Sequence, residues 1–183
     1  VLVFSDEAFT FANGAYKING IIGFPIAKGL GRIQIEQQQI VFTKHLQDDP
    51  ALPRNFFLET LHPILILNYK GRNLPFGFDT GANTSTLSRA FYEAYKSEID
   101  KEATLIETTR ASAGGATNHK MLQLETAAFI LHNSGINIPK LAVDPENHHV
   151  NSEKLFGNIG QDLLKQYKKV IIDFGNSHFH LEN

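Results

Sequence analysis

An all-β fold, either a barrel or a sandwich, is predicted by three features of the sequence. Short β-prone runs recur along it: Ile33-Gln34-Ile35, Ile64-Leu65-Ile66-Leu67 and Val170-Ile171-Ile172. Turn residues stand between them, and only two stretches carry a helical period. Many short strands with few helices must bury their apolar faces against one another, which is what barrels and sandwiches do.

The chain opens on Val1-Leu2-Val3-Phe4, which reads as the middle of a strand and so as a mature or truncated piece of something longer. Further on, Tyr69-Lys70-Gly71-Arg72-Asn73 carries the Gly and Asn of a hairpin turn between strands at Ile64–Asn68 and Leu74–Phe78. Ser88–Ile99 is the first predicted helix, with Ser88 as candidate N-cap and Phe91, Ala94 and Tyr95 on one face. Asp162–Tyr167 is a shorter one. Composition excludes several classes of function. A net charge of −2 gives nucleic acid or an anionic membrane no electrostatic hold. No apolar run approaches the roughly 20 residues that span a bilayer. With no Cys, disulfides, thiolate metal sites and thiol chemistry are unavailable.

An internal repeat organises the rest. Gly20-Ile21-Ile22-Gly23 is followed by Ile26, Lys28, Arg32, Ile33, Ile35 and Glu36. Gly157-Asn158-Ile159-Gly160 is followed by Leu163, Lys165, Lys169, Val170, Ile172 and Asp173, at a constant offset (160 − 23 = 137). Each copy spells Gly-x-Ile-Gly, a short amphipathic segment, a basic residue, then an alternating strand ending in an acid. Two homologous lobes are therefore expected: the end of a first lobe over residues 1–45, a polar, Pro-containing linker over 46–56, and a complete second lobe over 57–183.

The chemistry-bearing segment is Phe78-Asp79-Thr80-Gly81-Ala82-Asn83-Thr84-Ser85. Apolar residues deliver an acid to the end of a predicted strand, and Gly81 lets the chain turn tightly beside it. On its own an Asp-Thr-Gly is most often just an Asp-initiated turn. With Gly157-Asn158-Ile159-Gly160-Gln161-Asp162-Leu163-Leu164 downstream, however, the sequence resembles the retropepsin-like and pepsin-like aspartic proteases. Their lobes combine an Asp-Thr/Ser-Gly loop with a hydrophobic-Gly element near the lobe's end. Here Ile159 and Gly160 occupy that element, and Asn158 replaces one hydrophobic residue.

The resemblance implies an acid-protease β-barrel lobe preceded by the end of another. It implies an endopeptidase in which two Asp carboxylates share a proton and activate a water. Asp79 is then one catalytic carboxylate, and the other lies in the first lobe, upstream of Val1, so the chain alone is expected to be inactive. Thr80 is expected to hydrogen-bond across the lobe interface, Gly81 to offer its carbonyl to substrate, and Ala82 to complete the loop. A flap is expected over Thr108–Asn118, with Ala113, Gly114, Gly115 and Ala116 at its tip and Asn83 helping to bind substrate. Retroviral enzymes pair an Asp and an Arg where this chain has Asn83 and Gln161, so a neutral pair is expected here.

Peptide or protein is the implied substrate, the remainder of the first lobe the implied partner, and no cofactor or metal is called for. Bacterial proteins of this type suggest a periplasmic or secreted location. His148-His149 and His178-x-His180 raise the question of metal, but no matching acid cluster accompanies them, and exposed surface histidines are expected. Glu36 and Asp173, equivalent in the repeat, read as structural punctuation at strand ends. A catalytically inert peptide-binding module on the same scaffold is the alternative function. A homodimer using Asp79 from each of two chains is a third, disfavoured by the first-lobe tail.

Overall fold

The protein is described by a computed structural model covering residues 10–11, 16–44, 47–59, 62–112, 115–146 and 154–183. It is all-β in character, with strands gathered into three sheets. The first is a two-stranded ribbon of β1 (Thr10–Phe11) and β2 (Tyr16–Lys17).

The repeat builds the second sheet. Helix α1 (Phe24–Leu30) precedes β3 (Arg32–Glu36) and β4 (Ile40–Thr43), while β13 (Lys169–Asp173) and β14 (His178–Glu182) close the chain. The four strands lie in the order β14-β13-β3-β4. At the centre β3 and β13 run antiparallel with Gln34 opposite Ile171. Those two residues are themselves equivalent in the repeat, so a local two-fold axis passes through their pairing. Arg32 consequently faces Asp173 and Glu36 faces Lys169, placing opposite charges across the strands at both ends.

Between the halves of this sheet lies an eight-stranded one, ordered β5-β6-β7-β12-β8-β11-β10-β9. Strands β5 (Phe56–Glu59), β6 (His62–Tyr69) and β7 (Arg72–Phe78) form a meander. The β6–β7 turn is the expected one: Lys70 and Gly71 both take positive φ (49° and 84°), the geometry of a two-residue hairpin loop. Gly71 N donates to Asn68 Oδ1 at 3.0 Å, which helps set that turn. After β8 (Thr86–Leu87) and helix α2 (Arg89–Glu102) come the long strands β9 (Thr104–Ser112), β10 (Gly115–Leu131) and β11 (Ser134–Val143). Strand β12 (Gly157–Ile159) and the one-turn helix α3 (Gln161–Leu164) follow.

The core is the inward side of this sheet. Leu65, Leu67, Leu74, Phe76, Phe129, Ile136 and Ile138 are buried, and Phe91 of α2 packs edge-on to Tyr69. Lys140, at φ 49°, sits where the buried parity of β11 changes from Ile136 and Ile138 to Leu141 and Val143.

Some expectations need correction. Three helices are present among the described residues rather than two, because Pro25 and Gly29 do not prevent a helix at Phe24–Leu30: Pro is tolerated in a first turn, where its missing N–H has no partner to lose. Helix α2 extends to Glu102 with a kink at Tyr95 (φ −127°), and Ala94 faces solvent, leaving Phe91 and Ile99 as its buried contacts. Ser88 holds the N-cap position, yet its hydroxyl donates to Leu155 O at 2.6 Å and ties the helix start to the chain entering β12. The second expected helix is shorter than Asp162–Tyr167, ending at Leu164.

Candidate active site

Asp79 stands at the exit of β7, directly after a strand whose last three residues are buried. Strand β12 explains why the chain must turn there. It runs parallel to β7 (Ile159 opposite Phe78) and antiparallel to β8 (Gly157 opposite Leu87). The loop from Asp79 to Ser85 therefore leaves one side of β12, passes its end, and returns on the other. Only a residue without a Cβ fits beneath such a crossing. At Gly160 a Cβ would lie 2.7 Å from Ala82 O and 2.9 Å from Thr84 C, both backbone atoms.

The crossing is laced by hydrogen bonds. Asp79 N donates to Ile159 O at 2.9 Å, and Gln161 N donates to Ala82 O at 2.9 Å. Gln161 Nε2 donates to Thr80 O at 2.7 Å. Within the loop, Ala82 N donates to Asp79 O at 3.2 Å and Gly81 N to Asp79 Oδ1 at 2.8 Å. The last bond fixes the rotamer of the Asp79 carboxylate and leaves Oδ2 directed away from it. Asp79, Thr80 and Gly81 are solvent-exposed, so the carboxylate sits at a surface where a substrate backbone can reach it.

The sequence-predicted residues thus fall into two groups. Asp79, Thr80, Gly81, Ala82, Ile159 and Gly160 come together in one structure. Asn83 lies in the same loop and is exposed, but Gln161 bonds the Thr80 carbonyl; the expected Asn83–Gln161 pair is replaced by a side chain-to-backbone bond. Of the expected flap tip, Ala113 and Gly114 lie outside the described residues. Gly115 and Ala116 begin β10 and pair with Ser112 and Ala111 of β9, so the backbone there is an antiparallel ladder.

Sequence reasoning missed Asp162 and Ser85. Asp162 Oδ2 accepts Ser85 N at 2.8 Å and Oδ1 accepts Ser85 Oγ at 2.6 Å, fastening the far end of the loop. The available signal was an acid in the first turn of a helix that directly follows the hydrophobic-Gly element.

Two readings away from the site are revised or refined. His178 is not an exposed histidine: it is buried, and its Nδ1 lies 2.9 Å from Pro53 O, in the segment that leads into β5. His180 is exposed, and His148 and His149 lie outside the described residues. Asp173 is buried and accepts from Asn176 N and Nδ2, while Glu36 accepts from Gln34 and Gln39, so each acid closes the turn after its own strand.

No family model matches the chain, and no curated protein matches it. Among solved structures, it is similar to a retropepsin-like aspartic protease from Rickettsia conorii, at 16% identity and a TM-score of 0.42. That match covers 78% of this chain and 85% of the other. A likeness this distant decides nothing about the site, whose case rests on its own geometry.

Proposed function

We propose that the chain carries one half of an aspartic endopeptidase, with Asp79 as one of its two catalytic carboxylates. A single observation carries the reading: an exposed carboxylate on a loop that is fastened by backbone bonds to a Gly-containing segment threaded beneath it. Such rigidity suits general acid–base work, where the reacting group must be held to a fraction of an ångström. In the proposed reaction one ionised Asp removes a proton from a water, whose oxygen bonds to the peptide carbonyl carbon. The partner Asp, protonated, donates to the carbonyl oxygen. Collapse of the tetrahedral species breaks the C–N bond: the first Asp passes the proton it took from water to the amine nitrogen, and a hydroxyl of the diol returns one to the partner Asp as the carboxylic acid forms.

The second carboxylate needs a second barrel, and the repeat supports one. Ile159 and Leu163 are fully buried against the eight-stranded sheet, at 0% exposure each, yet their repeat counterparts Ile22 and Ile26 are 60% and 58% exposed. Phe179 is 1% exposed and its counterpart Phe42 38%. A body of the same kind as residues 56–143, placed on that face by the two-fold axis through Gln34 and Ile171, would cover these side chains and bring a second Asp loop opposite the first. Peptide is the substrate class this arrangement serves.

The test is cleavage of a mixed peptide library by the intact protein from pH 3 to pH 8, comparing wild type with Asp79→Asn. Cleavage by the wild type and a loss of several orders of magnitude in the variant are expected, because the two carboxylates act as a unit. A wild type that binds peptides but cuts none at any pH would make the protein an inert binding module. A variant as active as wild type would remove Asp79 from the chemistry.

A further inference from the structure

We propose that Asp162 is a positioning residue that sets the direction of a hydrogen-bond chain locking the Asp79 loop; this rests on the reading of Asp79 as catalytic. The chain runs from Asp162 to Ser85 to Gly160. Ser85 is buried, and its hydroxyl has a single proton, which it donates to Asp162 Oδ1 at 2.6 Å. With that proton committed, the oxygen's lone pairs are free to accept Gly160 N at 2.9 Å. Asp162 Oδ2 meanwhile accepts Ser85 N at 2.8 Å, and Oδ1 accepts Leu163 N at 3.0 Å. Every group facing the carboxylate is a donor, so an acceptor-only side chain is required.

That requirement separates a charged carboxylate from its nearest isostere. Asparagine offers one acceptor oxygen and one NH2. If its oxygen meets Ser85 N, its NH2 takes the Oδ1 position, where it confronts Leu163 N–H and leaves the Ser85 hydroxyl proton without its acceptor. If the amide is flipped, its NH2 confronts Ser85 N–H. Either way two donors meet in a buried place, and one backbone N–H loses its partner. The affected N–H groups are those of Ser85, where the loop ends, and Leu163 in α3, while the Ser85 hydroxyl that receives Gly160 N–H loses the acceptor that orients it. The other fastenings, Asp79 N to Ile159 O and Gln161 to Thr80 and Ala82, cannot hold the loop's far end. A displacement of about 1 Å in a catalytic group is enough to cost roughly 100-fold in rate.

The experiment uses the intact protein as wild type, Asp162→Asn, Ser85→Ala, Ser85→Thr and Asp79→Asn. Two measurements are made on each: amide hydrogen exchange at Ser85, Gly160, Leu163 and Ile172, and kcat and KM on a peptide that the wild type cuts, per folded molecule. Expected for Asp162→Asn is exchange at Ser85 or Leu163 at least tenfold faster with Ile172 unchanged, and kcat lower by 10–100-fold at nearly constant KM. Ser85→Ala should free the Gly160 amide by removing its acceptor, and Ser85→Thr, which keeps the hydroxyl, should stay close to wild type. Unchanged exchange in Asp162→Asn overturns the proposal, as does faster exchange with wild-type kcat. An inactive wild type overturns the catalytic reading and the positioning role together, whereas an active wild type that Asp79→Asn abolishes and Asp162→Asn leaves untouched overturns the positioning role alone.

Discussion

Gly160 shows how much a single missing side chain decides. Its backbone is extended (φ −111°, ψ −164°), so no unusual dihedral excludes other residues; the Ala82 and Thr84 backbone does. Gly160→Ala would force the Asp79 loop away from β12, since backbone atoms cannot swing aside as a side-chain end can. The expected result is a loss of about 2–4 kcal/mol by urea unfolding, with any peptidase activity of the intact protein lost as well. At this scale the site was half legible. Asp79, Thr80, Gly81, Ile159 and Gly160 could be singled out because the two segments that hold them, taken together, resemble a known pair of motifs, not because any one residue declares its place. Asp162 and Ser85 could not, because a short polar side chain does not announce its partner. Their pairing depends on the chain threading under itself 77 positions away.

Among elements, α2 is held by aromatic packing on one side and by charge at the other. Tyr69 lies within 4.8–5.3 Å, centroid to centroid, of Phe91, Tyr95 and Phe129. Its hydroxyl donates to Glu98 Oε1 at 2.8 Å, and Lys70 pairs with the same carboxylate. The bond from Lys70, with help from Tyr69, holds Glu98 below its ordinary value of 4.5. Burial, then the bond to Glu98, raises the Tyr69 phenol. A carboxylate whose pKa is lowered on folding adds stability above its unfolded value, and that contribution drains away as pH falls through the folded value. Glu98→Gln should therefore lower stability at pH 7 and narrow the wild type's lead as pH drops below about 4.5, as read by urea midpoints at pH 7 and pH 3. The boundaries of α2 were partly legible: Ser88 marks its start, but nothing local signals three further residues beyond Ile99. Helix α1 escaped notice because Pro25 and Gly29 resemble punctuation, although Pro25 stands where a helix accepts it.

For the molecule as a whole, the repeat was the most informative feature of the sequence, since it needs no propensity to be read. The constant offset became a pair of strands facing each other through Gln34 and Ile171. What the offset could not disclose is the difference in burial between equivalent positions, which depends on what each copy packs against. The proposed covering lobe makes that difference measurable. Ile22→Asp with Ile26→Asp should alter the stability of the 183-residue chain by under about 0.5 kcal/mol, as surface changes do. In a protein that carries the proposed lobe the same pair should cost several kcal/mol, as a charge placed in an apolar contact does. Equal, small effects in both would mean that nothing covers this face.

Strand β4 also has a colloidal consequence. Among the described residues it is the outermost strand of its sheet, its four residues are exposed, and Ile40, Val41 and Phe42 follow three consecutive glutamines. No charge interrupts the run between Glu36 and Lys44. An exposed, uncharged, β-prone edge preceded by Gln is a template on which further strands can stack into fibrils. The chain on its own should therefore form thioflavin-positive aggregates at concentrations where Val41→Lys, which sets a charge on that edge, stays clear by light scattering.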